Sequence, residues 1–258
     1  MKYIALQAII FLITYSANAA ACRAENITLQ DTSNIIALSE QLLFNVKTEQ
    51  ATDSIVQLLK TIEWPHLIAA LNTDDARKTF WINIYNAEYQ LLAKSGVRKP
   101  AIFTQKLILI AGTHFSLDNI EHGILRKYKW KYSRGYLPQA FPTKKIKALS
   151  VLQVDYRIHF ALNCGAKSCP PIAFYTLKDI NAQLELATNS FLVSETEIDT
   201  VKKVLKISTF FNWFKADFGG KSGIKKIFSI YLAQDFKDYS IQYNPYIKDA
   251  ELGKYTLQ

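Results

Sequence analysis

The residues best able to do chemistry lie in one short stretch, Asp155-Tyr-Arg-Ile-His-Phe-Ala-Leu-Asn-Cys-Gly-Ala-Lys-Ser-Cys-Pro-Pro171. It places His159, Cys164 and Cys169 within eleven residues of one another. A cysteine nucleophile needs a thiolate, an imidazole within hydrogen-bond reach, and a third group that fixes the imidazole tautomer. Ile158, Phe160 and Leu162 alternate with Arg157, His159 and Asn163, the period of a half-buried strand. That strand would carry Arg157 and His159 on its polar side, towards a polar pocket shared with Asn83 or Asn86. Cys169 adjoins Pro170, which suits a helix start, and unpaired helix N–H groups there would favour a thiolate. Cys169 is therefore the expected nucleophile. The same pair has other readings. In an oxidising compartment Cys164 and Cys169 form a disulfide. With either histidine they have permissible spacing for a metal. Redox exchange is a further reading, although the spacing is not C-x-x-C.

Two more constellations bear on that chemistry. In Thr79-Phe-Trp-Ile-Asn-Ile-Tyr-Asn-Ala87, spacings of three and four put Asn83, Asn86 and Gln90 on one helical stripe. Buried amides must be hydrogen-bonded. They either bridge to backbone or orient a histidine, which makes Asn83 and Asn86 candidate site residues. In Leu117-Asp-Asn-Ile-Glu-His-Gly-Ile-Leu-Arg126, Glu121 sits at the edge of an apolar face and needs a partner, with Arg126 and His122 at hand. Here His122 is a candidate base and Glu121 an orienter or acid. Acyl transfer would also require oxyanion donors, which backbone N–H groups around Ser168 and Cys169 could supply.

The elements that position these residues follow from periodicity. Asn34 to Val46, Asp53 to Ile62 and Ala76 to Lys94 have helical spacing, the last capped from Asn72 to Asp75 and stopped by Gly96. Lys106 to Ala111 reads as a buried strand and Ser116 to Arg126 as a helix. Tyr128, Trp130 and Tyr132 alternate with Lys127, Lys129 and Lys131, which predicts an amphipathic strand with a lysine-bearing solvent face, or a groove for an anionic polymer. Asp179 to Phe191, Phe210 to Phe218 and Ile224 to Leu232 are helical, and Lys202 to Ile207 is a strand. The sum is an α+β fold, a single mixed helix/sheet domain.

Phe80-Trp-Ile-Asn-Ile-Tyr-Asn-Ala87, the Ser116 to Arg126 motif and the Arg157 to Pro171 motif, in that order, closely resemble the DUF547 family, a domain of unknown function. The resemblance covers about Ala76 to Phe191. Phe211-Asn-Trp-Phe-Lys-Ala-Asp-Phe218 is similar to the family's Trp-and-Asp-Phe helix, whereas Tyr243-Asn-Pro-Tyr246 replaces its usual Tyr-Asp-Trp ending. The resemblance implies an architecture related to papain-like or transglutaminase-like hydrolases, with elements reordered.

Export and charge bound the function. Lys2, the apolar run Ile4 to Thr14, and overlapping Ala17-Asn-Ala19 and Ala19-Ala-Ala21 sites read as a signal peptide over residues 1–21. A mature start at Ala20 or Cys22 is expected. Cys22 also suggests a lipoprotein attachment site, although Ala19 stands where Leu is usual. The mature chain, about 237 of the 258 residues, suits one large domain, and no Pro/Gly/Ser-rich linker divides it. A net charge of +9, or +8 once the single signal lysine is removed, fits an anionic envelope polymer as partner, or simple solubility. A peptide or protein substrate is the other partner class. Export excludes nucleic acid, and the apolar run is too short for a retained membrane span. No cofactor is called for. The leading reading is a periplasmic or extracellular binding or structural module. Its rival is a cysteine hydrolase or acyl transferase using Cys169, with His159 or His122 as base and Asn86, Asn83 or Glu121 as orienter.

Overall fold

The computed structural model describes residues 32–256. The expected signal segment, both expected start sites and Cys22 lie outside them. The helices are α1 (Thr32–Lys47), α2 (Asp53–Thr61), α3 (Trp64–Ala70), α4 (Asp74–Lys94), α5 (Ala101–Thr104), α6 (Lys144–Leu149), α7 (Ile180–Ser194), α8 (Phe210–Trp213) and α9 (Gly220–Tyr231). The strands are β1 (Ile108–Ile110), β2 (Thr113–Phe115), β3 (Glu197–Asp199), β4 (Val204–Ser208) and β5 (Ser240–Asn244). β1 and β2 form an antiparallel hairpin; β4 pairs antiparallel with β3 and parallel with β5. The fold is α+β, with two small sheets.

α4 is the axis. Its first turn is capped by Thr73, whose side chain accepts from the Ala76 N–H, and Asp74 and Asp75 complement the helix dipole there. From Phe80 to Ala87 every residue is buried, the signature of a helix surrounded by protein. α1 lays Ile35, Leu38, Leu42 and Val46 against it. Trp81 is fully buried between Phe80 and Phe115, with ring centroids 5.0 and 5.1 Å away. Replacing such a ring by alanine costs about 3–5 kcal/mol. A second apolar cluster gathers Phe160, Phe191, Leu205, Ile207, Phe211, Phe218 and Phe228 around β4 and α9.

Four expected elements form differently. The helix expected over Phe210 to Phe218 stops at Trp213, and turns follow it. Tyr156–Phe160 is a turn of 3-10 helix rather than a strand. Asp155 caps it, accepting from the Arg157 N–H at 3.1 Å. The strand reading assumed that His159 and Asn163 faced away from the interior. Both are buried, at 4% and 0% exposure, so their alternation with apolar residues marked no solvent face. No helix begins at Pro170; the next regular element is α7. The reason is steric: Cys169 and Pro170 each precede a proline and are pushed out of the helical region. Lys127 to Tyr132 is not a strand either. Lys127 and Tyr128 take left-handed backbone angles, Lys129 makes a single bridge to Pro138, and Lys131–Ser133 is a 3-10 turn.

Ser116 to Arg126 is helical, as expected, but Asn119–Leu125 is wound as a π-helix. Such wide turns recur at functional sites. Gly123 makes the close packing possible: a Cβ there would stand 3.1 Å from Ile146.

Candidate functional site

The amide stripe of α4 clamps backbone. Asn86 donates to the Ala161 carbonyl at 2.9 Å and accepts from the Asn163 N–H at 2.9 Å. Asn83 does the same at Tyr175, donating to its carbonyl at 2.7 Å and accepting from its N–H at 3.2 Å. Gln90 accepts from the Gly253 N–H at 3.0 Å. Asn163 continues the pattern, donating to the Pro170 carbonyl at 2.7 Å and accepting from the Gly165 N–H at 2.9 Å. An irregular segment has no neighbouring strand or helical turn to satisfy its backbone, so side chains must do so. Neither Asn83 nor Asn86 touches a histidine or lines the cavity described next. The polar pocket they were expected to share with Arg157 and His159 is not formed. Arg157 turns instead to Asp155 at 2.7 Å and Asn181 at 2.9 Å.

His159, His122 and Glu121 do converge. They line one cavity of about 370 Å³ together with Tyr85, Asp118, Cys164, Trp213, Phe214 and Tyr246. Behind them lies a buried ionic network. Arg126 is 0% exposed and donates through Nε to Asp217 Oδ2 at 2.6 Å. The same oxygen lies 2.9 Å from His159 Nε2. Arg126 Nη1 is 2.9 Å from His122 Nδ1. Lys129 reaches the other Asp217 oxygen at 3.1 Å, and Lys131 pairs with Asp118 at 2.6 Å. Glu121 accepts from the Tyr85 hydroxyl at 3.2 Å, and its other oxygen stands 3.6 Å from His122 Nδ1. The His159 ring stacks on Phe214 with centroids 4.0 Å apart.

Protonation follows from burial and from Arg126. Burial alone would raise the Asp217 carboxyl, but hydrogen bonds from His159 and Arg126 outweigh it and hold the group below the usual carboxylate range. Desolvation lowers His122 to about 3, and the Arg126 charge pushes the same way. Desolvation also lowers His159, beyond what Asp217 restores. Both imidazoles are therefore neutral at pH 7. Arg126 can only donate, so His122 Nδ1 is the acceptor and its proton sits on Nε2. Asp217 is an ionised acceptor, so neutral His159 carries its proton on Nε2. Glu121 is raised by burial, against the pull of Arg126.

Cys164 and Cys169 are disulfide-bonded to each other. Cys164 is partly exposed and lines the cavity, whereas Cys169 is 1% exposed and does not. The position favoured from sequence as the nucleophile is thus the more deeply buried of the two. The Tyr246 hydroxyl lies 3.0 Å from Cys164 Sγ and 3.3 Å from Cys169 Sγ. Gly165 stands at φ +64 between them, and a Cβ there would run into the Tyr89 ring. Among the described residues no cluster of three His, Cys, Asp or Glu side chains is arranged to hold a metal ion.

Sequence reasoning missed Asp217, Tyr85 and Tyr246, and gave Arg126 a different partner. Asp217 had a visible signal: a lone carboxylate between Phe214 and Phe218 in an otherwise aromatic stretch. A carboxylate buried in such surroundings must be paired. Tyr246 closes the cavity from the segment where the chain departs from the family's usual ending.

Neither a curated protein nor a solved structure matches the chain. Residues 68–192 match the family model described as "Protein of unknown function, DUF547". That span holds Tyr85, Glu121, His122, His159 and both bridged cysteines, while Asp217 and Tyr246 join them from beyond it. Residues 68–192 of the chain belong to the DUF547 family.

Proposed function

We propose that this chain is an exported cell-envelope protein whose cavity works as a binding site for a small ligand or a short peptide segment. One observation carries the reading. The cavity has aromatic walls and a polar floor, and the sulfurs beside it are tied to each other rather than to an imidazole. Aromatic walls with a few convergent polar groups are the usual make-up of ligand sites. Tyr85, Trp213 and Tyr246 supply apolar area, and Tyr85 and Tyr246 add hydroxyls. Neutral His122 offers a donor, and Glu121 a carboxyl group whose hold on its proton is strengthened by burial. Lys99 and Lys248 also line the cavity and suit a ligand with an anionic end.

A second reading is favoured by the position of Cys164, which shares the cavity with His159, His122 and Glu121. Reduction of the disulfide would place a thiol among candidate bases. The chain would then be a cysteine hydrolase or acyl transferase, with Cys164 rather than Cys169 as nucleophile.

The two readings separate in one experiment. The mature protein is titrated with a short-peptide library while tryptophan fluorescence is followed, and the peptides are then weighed by mass spectrometry. Saturable binding that is lost in Trp213→Ala, with peptides recovered intact, supports the binding module. Peptides cleaved only after reductant is added support the second reading. Cleavage without reductant overturns the first.

A further inference from the structure

Residues 127–147 form the most one-sided surface of the molecule. The stretch contains seven Lys and Arg residues and no Asp or Glu. Its lysines were expected to face solvent, with the rings beneath. The structure reverses this. Lys129 and Lys131 turn to Asp217 and Asp118, while Lys127 stays exposed with its ammonium on the Leu152 carbonyl. The apolar side chains are left outside: Tyr132 is 73% exposed, Tyr136 59%, Leu137 56% and Phe141 95%. Exposed cations remain beside them at Arg134, Lys144 and Lys147.

This is a built surface. Trp130 N–H donates to the Leu137 carbonyl at 2.9 Å, and Ser133 Oγ bonds the Trp130 carbonyl at 2.8 Å and the Leu137 N–H at 3.1 Å. Gly135 is buried at φ +84, and a Cβ there would meet both Asp217 and Arg126. The segment is thereby fixed to the ionic network, and its rings are held out by a rigid turn.

We infer that residues 130–141 seat this protein peripherally on an anionic lipid bilayer. Leu137 and Phe141 enter the interfacial layer, Trp130, Tyr132 and Tyr136 lie at head-group depth, and Arg134, Lys144 and Lys147 meet anionic head groups. The combination of chemistries selects the partner. A soluble polyanion would use the cations and leave Leu137 and Phe141 without a role. A polysaccharide would stack on rings that also carry hydrogen-bonding groups, which Phe141 and Leu137 lack. Apolar tips ringed by Lys and Arg without acids match an anionic membrane interface. No described helix is long and apolar enough to cross a membrane, so the contact is peripheral.

The test is co-sedimentation of the mature, unlipidated chain, carrying Cys22→Ser, with vesicles. One set is phosphatidylcholine alone and the other a phosphatidylcholine–phosphatidylglycerol mixture. Binding to the mixed vesicles, weakened by salt and reduced about tenfold or more in Leu137→Ser/Phe141→Ser, is expected. Both side chains are more than half exposed, so the variant should keep its melting temperature. Three results would overturn the inference: no binding to the mixed vesicles, equal binding by the double variant, or retention on insoluble envelope polysaccharide that the double variant loses in the absence of lipid.

Discussion

Two sets of buried polar groups behave in opposite ways. Asn83 and Asn86 are neutral amides, and each bonds both a carbonyl and an N–H of the segment beside it. Their hydrogen-bonding capacity is directed at backbone. Glu121, His122, Arg126, His159 and Asp217 are ionisable, bond mainly to one another, and three of them line the cavity. The first set specifies the path of an irregular chain. The second maintains neutral imidazoles beside a carboxyl raised by burial at a cavity wall. The difference separates the buried polar residues that hold the fold from those that stand at the cavity.

The largest effect should come from removing the anion at the centre of the ionic set. Asp217→Ala leaves Arg126 as an uncompensated buried charge, and urea unfolding should show a loss of about 3–5 kcal/mol. A loss below about 1 kcal/mol would mean that the network is hydrated and is not the framework of the cavity. Asn86→Ala leaves the Ala161 carbonyl and the Asn163 N–H unpaired, for a loss of about 2–3 kcal/mol. It should leave ligand binding per folded molecule unchanged, whereas His122→Gln should weaken it. If Asn86→Ala abolished binding in the folded fraction, the division between the two sets would fail.

Acidity sharpens the comparison further. Glu88, on the same helix as the amides, is pushed up to about 7 by burial, with Lys60 pulling the other way. The folded state then holds its proton more tightly than the unfolded chain, so stability falls as pH rises from about 4.5 to 7. Glu88→Gln should remove that slope and gain about 1–2 kcal/mol at pH 8. His122 has the opposite sign. Its folded value of about 3 lies below the ordinary 6.5, so the unfolded chain binds the proton first. Stability is therefore lost as pH falls below about 6.5, by about 1 kcal/mol at pH 5.5. His122→Gln should flatten this acid limb. Melting temperatures of both variants across pH 4.5–8 check the two signs together.

Much of this was legible in the residues. The long helices were, because α1, α2, α4 and α7 each bury a face, or in α4 every side, and the periodicity records it. Glu121 stood out because a carboxylate at the edge of an apolar face needs a partner, whereas its sharing one cavity with both His122 and His159 is set by tertiary packing. The irregular segment from Ala161 to Thr176 was not legible, because its path is set by side chains outside it, Asn83 and Asn86 on α4 and Gln183 on α7. Alternation at Ile158, Phe160 and Leu162 imitated a strand since buried polar and exposed polar residues look alike in a sequence. Asp217 and Tyr246 arrive from the far side of the second apolar cluster, a juxtaposition that only tertiary packing produces.

The central claim is that the sulfurs beside the cavity are bridged, leaving a binding site rather than a thiol centre. Limiting iodoacetamide applied to the protein without reductant, followed by mapping of the adduct by mass spectrometry, tests it most directly. We expect neither Cys164 nor Cys169 to be labelled until reductant is added, and Cys164, the more exposed, then to react first. A carbamidomethyl adduct on Cys164 or Cys169 in the untreated protein would contradict the account.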